Sequence, residues 1–176
     1  MLDLKSLIRS IPDYPKPGIL FRDITTLIEH PQGFKESVER LGAAHKGLGI
    51  THVAGIEARG FIFGAGVAIE MGVGFVPIRK RGKLPGATIG QNYTLEYGVD
   101  TIEVHADVLT SVHKVLLIDD LIATGGTAVA AVSLLRRTGA VVESAGFVID
   151  LFDLGGAEKL RAMDVKVEAL VAFPGH

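Results

Sequence analysis

The chain has 176 residues, with 18 lysines and arginines against 20 aspartates and glutamates, for a net charge of −2. That balance excludes a general nucleic-acid coat or a polybasic membrane binder, and an apolar share of 48% with a mean hydropathy of +0.37 excludes a disordered chain. The absence of cysteine excludes disulfides, thiolate catalysis and cysteine-based zinc sites, and fits a reducing, cytoplasmic setting.

The length predicts one domain, residues 1–176. The longest uncharged run, residues 121–135, is broken by Gly125-Gly126 and too short to span a bilayer. The start, Met1-Leu2-Asp3-Leu4-Lys5, has no basic and apolar regions of the secretory type, so no signal is expected. Leu4, Leu7, Ile8 and Ile11 recur at helical spacing until Pro12. The run Pro12-Asp13-Tyr14-Pro15-Lys16-Pro17-Gly18 cannot continue a helix and reads as a stiff extended loop delivering Ile19-Leu20-Phe21. Pro31 fits a first helical turn, with Phe34, Val38 and Leu41 on one face until Gly47 and Gly49. His45, near the end of that helix, reads as a surface residue.

From there the chain alternates. Strands are expected at 53–56, 75–78, 115–118, 141–149 and 165–170, and helices at 61–71, 127–138 and 157–163. Gly64 and Gly66 call for close packing of the first of these helices. Strands apolar on both faces and joined through helices predict an α/β fold, a mostly parallel central sheet flanked by helices. Between 78 and 115 the pattern changes: Ile102 and Val104 alternate with Thr101, Glu103 and His105, which predicts a small half-exposed antiparallel insert. The 22 glycines, well above the usual share of about 7%, are spread between apolar runs and so mark tight turns, not a linker.

The strongest local signal is Val115-Leu116-Leu117-Ile118-Asp119-Asp120-Leu121-Ile122-Ala123-Thr124-Gly125-Gly126-Thr127. A buried strand ends in two carboxylates, and a small-residue turn then opens a helix. Ligands of open α/β sheets bind beyond the carboxyl ends of the strands. The turn can offer backbone N–H groups, two hydroxyls and a helix N-terminus to a phosphate, with Gly126 read as the glycine whose missing Cβ, at a φ no β-branched residue favours, lets those groups approach. Asp119 and Asp120 cannot bind the same phosphate and suit sugar hydroxyls or a substrate-borne Mg²⁺. Together they predict a phosphorylated sugar; taken alone, Asp-Asp reads as a solvated strand end. No Gly-Lys-Ser/Thr follows, no Gly-x-Gly-x-x-Gly or Gly-x-Ser-x-Gly occurs, and the six histidines have no paired metal-ligand spacing.

This run resembles the phosphoribosyl-pyrophosphate loop of the type I phosphoribosyltransferases. Pro15-Lys16-Pro17-Gly18-Ile19-Leu20-Phe21-Arg22-Asp23, Glu57-Ala58-Arg59-Gly60-Phe61, Arg79-Lys80-Arg81-Gly82-Lys83-Leu84-Pro85 and Tyr93-Thr94-Leu95-Glu96-Tyr97-Gly98 narrow the resemblance to the adenine phosphoribosyltransferase family. It extends almost to the ending Phe173-Pro174-Gly175-His176. Thr110-Ser111-Val112-His113 departs from the Gly-Asp turn usual before the loop strand.

The resemblance implies transfer of a 5-phosphoribosyl group from phosphoribosyl pyrophosphate to N9 of adenine, giving AMP and pyrophosphate, with Mg²⁺ bound mainly through substrate and no direct protein metal site. It implies that Ala123, Thr124, Gly125, Gly126 and Thr127 hold the 5′-phosphate, and that Asp119 and Asp120 face the ribose hydroxyls and stabilise a cationic ring. Arg59, Arg79, Lys80 and Lys83 would take pyrophosphate. Phe21 would stack on adenine while the backbone of Leu20 and Arg22 reads its edge. Glu96 would accept the proton adenine loses, beneath a mobile cover with glycines at 82, 86 and 90. A homodimer is implied, since the basic loop can reach a neighbouring subunit. On spacing alone the basic run reads as a solvated loop, Phe21 as core and Glu96 as an exposed strand residue. Two other functions stay open here: a non-catalytic regulator sensing phosphoribosyl pyrophosphate, and a transferase for another base.

Overall fold

The computed structural model describes residues 1–95 and 97–175. A 3₁₀ turn, Leu4–Leu7, gives way to strand β1 (Arg9–Pro12), which pairs antiparallel with β2 (Leu20–Asp23). The helix expected through Ile11 therefore stops after one turn. Tertiary packing overrides the spacing: Leu4 and Ile8 enter the core beside Leu27 and Leu41, and Arg9 turns to Asp23 across the hairpin. The proline-rich run is the turn of this hairpin, with Gly18 N–H donating to Asp13 Oδ1 at 2.8 Å.

A short helix the spacing did not foresee, α1 (Thr25–Ile28), leads to α2 (Pro31–Ala44), which starts at Pro31 as expected. His30 Nδ1 caps α2 by accepting from Gly33 N–H at 3.0 Å.

The parallel strands are β3 (His52–Ile56), β4 (Gly74–Lys80), β7 (Lys114–Ile122), β8 (Val141–Leu151) and β9 (Lys166–Phe173). The expected insert is the antiparallel pair β5 (Thr88–Thr94) and β6 (Val99–His105), with Ile102 and Val104 buried as the alternation predicts. It does not stand apart. Strand β6 pairs with β4 at Lys80↔Ile102 and Arg79↔Glu103, making one seven-stranded sheet in the order β5-β6-β4-β3-β7-β8-β9.

Helices α3 (Arg59–Met71), α4 (Gly126–Arg137) and α5 (Gly156–Arg161) cover the sheet with α2. Alternate residues of β7 serve opposite cores, Leu116 and Ile118 with Leu41 and Phe63, Val115 and Leu117 with Leu134 and Leu160. Close packing of α3 is as expected. A Cβ on Gly66 would lie 2.8 Å from Val38 Cγ2, and one on Gly64 3.0 Å from Phe75 Cε2.

His45 is not a surface residue. Its ring is buried, Nδ1 lies 2.8 Å from Leu41 O, and room for it on the sheet comes from Gly146, where a Cβ would sit 3.2 Å from Cε1. The divergent Thr110–His113 stretch closes on itself: Thr110 N–H donates to His113 Nδ1 at 2.9 Å, and the His113 ring packs against His52 at 4.7 Å. Among the described residues, no helix is long and apolar enough to cross a membrane.

Candidate functional site

Strand β7 carries Asp119 and Asp120 to the carboxyl edge of the sheet, and the turn after Ile122 leads into α4. A cavity of about 230 Å³ opens there, lined by Asp119, Asp120, the turn residues and Arg59. Five of the residues expected at a phosphate, and both carboxylates, thus share one wall.

The turn owes its shape to two glycines in contact. Gly125 has φ +83°, and a Cβ on it would lie 2.7 Å from Gly156 Cα; a Cβ on Gly156 would lie 2.4 Å from Ala123 O. Gly126 does not have the positive φ read from the sequence. It is the first residue of α4, and a Cβ there would meet only Thr94 O at 3.7 Å. The strained position is one residue earlier. Gly156 was missed by sequence reasoning; the only signal was the Gly155-Gly156 pair after a strand.

Arg59 begins α3 and its Nε donates to Asp120 Oδ2 at 2.6 Å. Gly60 lets the start of α3 lie close against β7, since a Cβ on it would fall 2.7 Å from Asp119 Oδ1 and 3.2 Å from Ile118 O. Asp119 accepts from Asp120 N–H at 2.9 Å. Burial, reinforced by the Asp120 carboxylate, pushes the Asp119 carboxyl well above the usual range. Among the described residues, Arg59 hydrogen-bonds to Asp120 alone, and on Asp119 its charge only partly offsets the effect of burial.

Phe21 is half-buried, not core. Tyr14 meets it edge-on at 5.2 Å, and the Arg59 guanidinium lies over its ring at 5.9 Å. Arg59 therefore links the aromatic face to the carboxylate pair. Leu20 flanks Phe21 on β2. The Arg22 side chain leaves the site, donating to Ser10 Oγ at 2.6 Å and stacking on Phe173 at 4.3 Å.

The remaining basic residues sit elsewhere on the same edge. Arg79 donates to Glu57 at 3.1 and 3.3 Å, and Lys80 N–H to the same carboxylate at 2.9 Å. The Arg79 hydrogen bond holds Glu57 below the usual carboxyl range. Lys80 Nζ binds Tyr93 Oη and Asp100; burial works against its charge, but the Asp100 hydrogen bond prevails and raises its pKa. Lys83 is exposed. None of Arg79, Lys80 and Lys83 lines the cavity. Glu57 and Asp100 were not singled out in the sequence, where nothing pairs them with their bases. Glu96 lies outside the described residues.

Residues 26–173 match the phosphoribosyl transferase domain family. An adenine phosphoribosyltransferase of Parvibaculum lavamentivorans is 58% identical over 175 residues, 99% of this chain and 100% of the relative. The crystal structure of adenine phosphoribosyltransferase from Thermoanaerobacter pseudethanolicus superposes with a TM-score of 0.92 at 44% identity, covering 97% and 98% of the two chains. That of the Saccharomyces cerevisiae enzyme, complexed with an imino-altritol bisphosphate and adenine, does so with a TM-score of 0.89 at 37% identity, covering 96% of each. The chain belongs to the adenine phosphoribosyltransferase family.

Proposed function

We propose that this chain is an enzyme of purine salvage that transfers a 5-phosphoribosyl group from phosphoribosyl pyrophosphate to N9 of adenine, releasing AMP and pyrophosphate. The observation that carries the residue roles is the reach of Arg59, at 2.6 Å from Asp120 and 5.9 Å from the Phe21 ring. It joins a surface for a flat base to carboxyls suited to a ribose, beside a turn suited to a phosphate. The yeast relative, crystallised with a sugar-like bisphosphate and adenine, supports the same pairing of ligands.

In this reading the 5′-phosphate lies on Ala123, Thr124, Gly125, Gly126 and Thr127, whose N–H groups include the free first turn of α4. The C1–O bond to pyrophosphate breaks as the C1–N9 bond forms, and the ring passes through a cationic, oxocarbenium-like state. Asp119 and Asp120 stabilise that charge most at the transition state. Arg59, joined by Arg79 and Lys80 from their present partners and by the exposed Lys83, receives the charge that builds on pyrophosphate. Phe21 stacks on adenine, with the backbone of Leu20 and Arg22 at its edge. Glu96 takes the proton that N9 glycosylation releases, so Glu96→Gln lowers kcat by roughly 10²–10⁴ and leaves phosphoribosyl pyrophosphate affinity unchanged.

The carboxyl set fits a metal carried in on the substrate. Asp120 is already held by Arg59, and among the described residues no group of three or more ligand-type side chains gathers. Mg²⁺ bound through the diphosphate would neutralise part of the leaving-group charge. The enzyme acts as a cytoplasmic homodimer of single-domain chains.

Incubation with Mg²⁺, phosphoribosyl pyrophosphate and each nucleobase in turn tests the reading by the nucleotide formed. AMP from adenine is expected, with kcat/KM at least about tenfold above hypoxanthine and guanine, because a carbonyl in place of the exocyclic amine leaves buried groups unpaired. Equal turnover of hypoxanthine would overturn the base assignment.

A further inference from the structure

We propose that Gly156 and Lys159, on the segment after β8, are positioning residues that aim the turn's N–H groups at the 5′-phosphate; this rests on the phosphate reading of that turn. Gly156 N–H donates to Ala123 O at 3.1 Å, and Lys159 Nζ donates to Thr124 O at 2.8 Å. The two held carbonyls belong to consecutive peptide units. In a trans peptide the C=O and N–H of one unit point in opposite directions. Holding Ala123 O therefore turns Thr124 N–H away from the 155–159 segment, and holding Thr124 O does the same for Gly125 N–H. Among the described residues, neither N–H donates to a backbone carbonyl.

The spacing enforces this arrangement. With Gly156 Cβ-free, its N–H reaches Ala123 O; a Cβ there would lie 2.4 Å from that oxygen, 2.8 Å from Gly125 N and 2.8 Å from Ile122 Cγ1. Two of those three atoms are backbone, so the turn itself would have to move. Lys159 adds a cation that polarises the Thr124–Gly125 peptide and strengthens the Gly125 N–H as a donor to an anion. Neither residue needs to touch substrate. Both act through the turn.

Steady-state kinetics of Lys159→Met, Lys159→Arg, Gly156→Ala and Thr127→Ala, with melting temperatures alongside, test the assignment. Lys159→Met should raise KM for phosphoribosyl pyrophosphate about three- to tenfold, the scale of one charge-assisted hydrogen bond, with kcat and the KM for adenine within about twofold. Lys159→Arg should restore most of that loss. Gly156→Ala should raise the same KM at least about tenfold, and should it fail to fold, the Lys159 pair still decides. If Thr127→Ala weakens phosphoribosyl pyrophosphate while Lys159→Met and Lys159→Arg both match the parent enzyme, the positioning role is overturned and the phosphate turn stands. If Thr127→Ala is also without effect on that KM, the phosphate reading falls, and the positioning role with it.

Discussion

Two regions of the carboxyl edge offer hydrogen-bond donors and positive charge in different ways. The turn at 123–127 presents backbone N–H groups whose direction is built into the fold by Gly125 and Gly156. The basic run at the end of β4 presents long side chains that the protein has already paired, Arg79 with Glu57 and Lys80 with Asp100. Among the described residues, the N–H groups of Thr124 and Gly125 donate to no backbone carbonyl, so the cradle keeps these donors available. Lysine and arginine on flexible stems take the nearest carboxylate, so their availability depends on an exchange of partners. The first region is rigid; in the proposed reading, the second is a reservoir of charge that substrate would have to draw out.

The largest expected effect breaks the rigid site. Gly125→Ala meets both a φ of +83° and a Gly156 Cα at 2.7 Å, whereas Gly126→Ala meets neither. With backbone strain of about 1–3 kcal/mol added to a backbone clash, kcat/KM for phosphoribosyl pyrophosphate should fall at least about 100-fold for Gly125→Ala. Gly126→Ala should stay within about fivefold, its added methyl in open contact at the first helical position. Steady-state kinetics of both proteins separate the two positions. Equal losses would mean that the turn binds through side-chain space, not through a fixed backbone.

A smaller effect sharpens the reservoir. Asp100→Asn removes the charge that raises the pKa of Lys80 while keeping the shape of the side chain. If Lys80 serves pyrophosphate, freeing it should lower the inhibition constant for pyrophosphate about threefold, the scale of an exposed ion pair. Tyr93 Oη remains as a partner, which keeps the lysine in place. A raised constant would show that Asp100 aims Lys80 at its ligand instead of competing for it.

The contrast also explains what the sequence could carry. Residues 115–127 were legible because a buried strand, two carboxylates and a glycine turn are all local, and backbone geometry follows from local sequence. The parallel order was legible from strands apolar on both faces. The pairing of Lys80 with Asp100 was not, because it is set by the register of β4 on β6 and of β6 on β5, twenty residues of chain apart in sequence. Gly126 was assigned the positive φ that belongs to Gly125, since adjacent glycines look alike until the contact with Gly156 distinguishes them. The helix expected from Leu4 to Ile11 failed for the same reason: Arg9 finds Asp23, a partner visible only after the hairpin forms.

That Arg9–Asp23 pair supplies the control for the whole comparison, an arginine–carboxylate contact whose residues do not line the cavity at the 123–127 turn. Asp23 accepts from Arg9 and, at 2.9 Å, from Thr25 N–H, and these bonds lower its carboxyl to about 2 from the ordinary 3.8. A lowered folded-state pKa gives stability that is complete above the unfolded value and is lost as pH falls through 3.8 towards 2. Because the Arg9 side chain is 57% exposed, solvent reduces the contribution to about 1–2 kcal/mol, or roughly 3–6 °C in melting temperature for a chain of this size. Asp23→Asn should therefore melt lower than the parent at pH 7, and the two curves should converge as pH approaches 2. Its KM for phosphoribosyl pyrophosphate should not change, unlike that of variants in the 123–127 turn. A gap in melting temperature that is constant from pH 7 to pH 2 would show that the asparagine disturbs hairpin packing and that the charge of Asp23 contributes nothing.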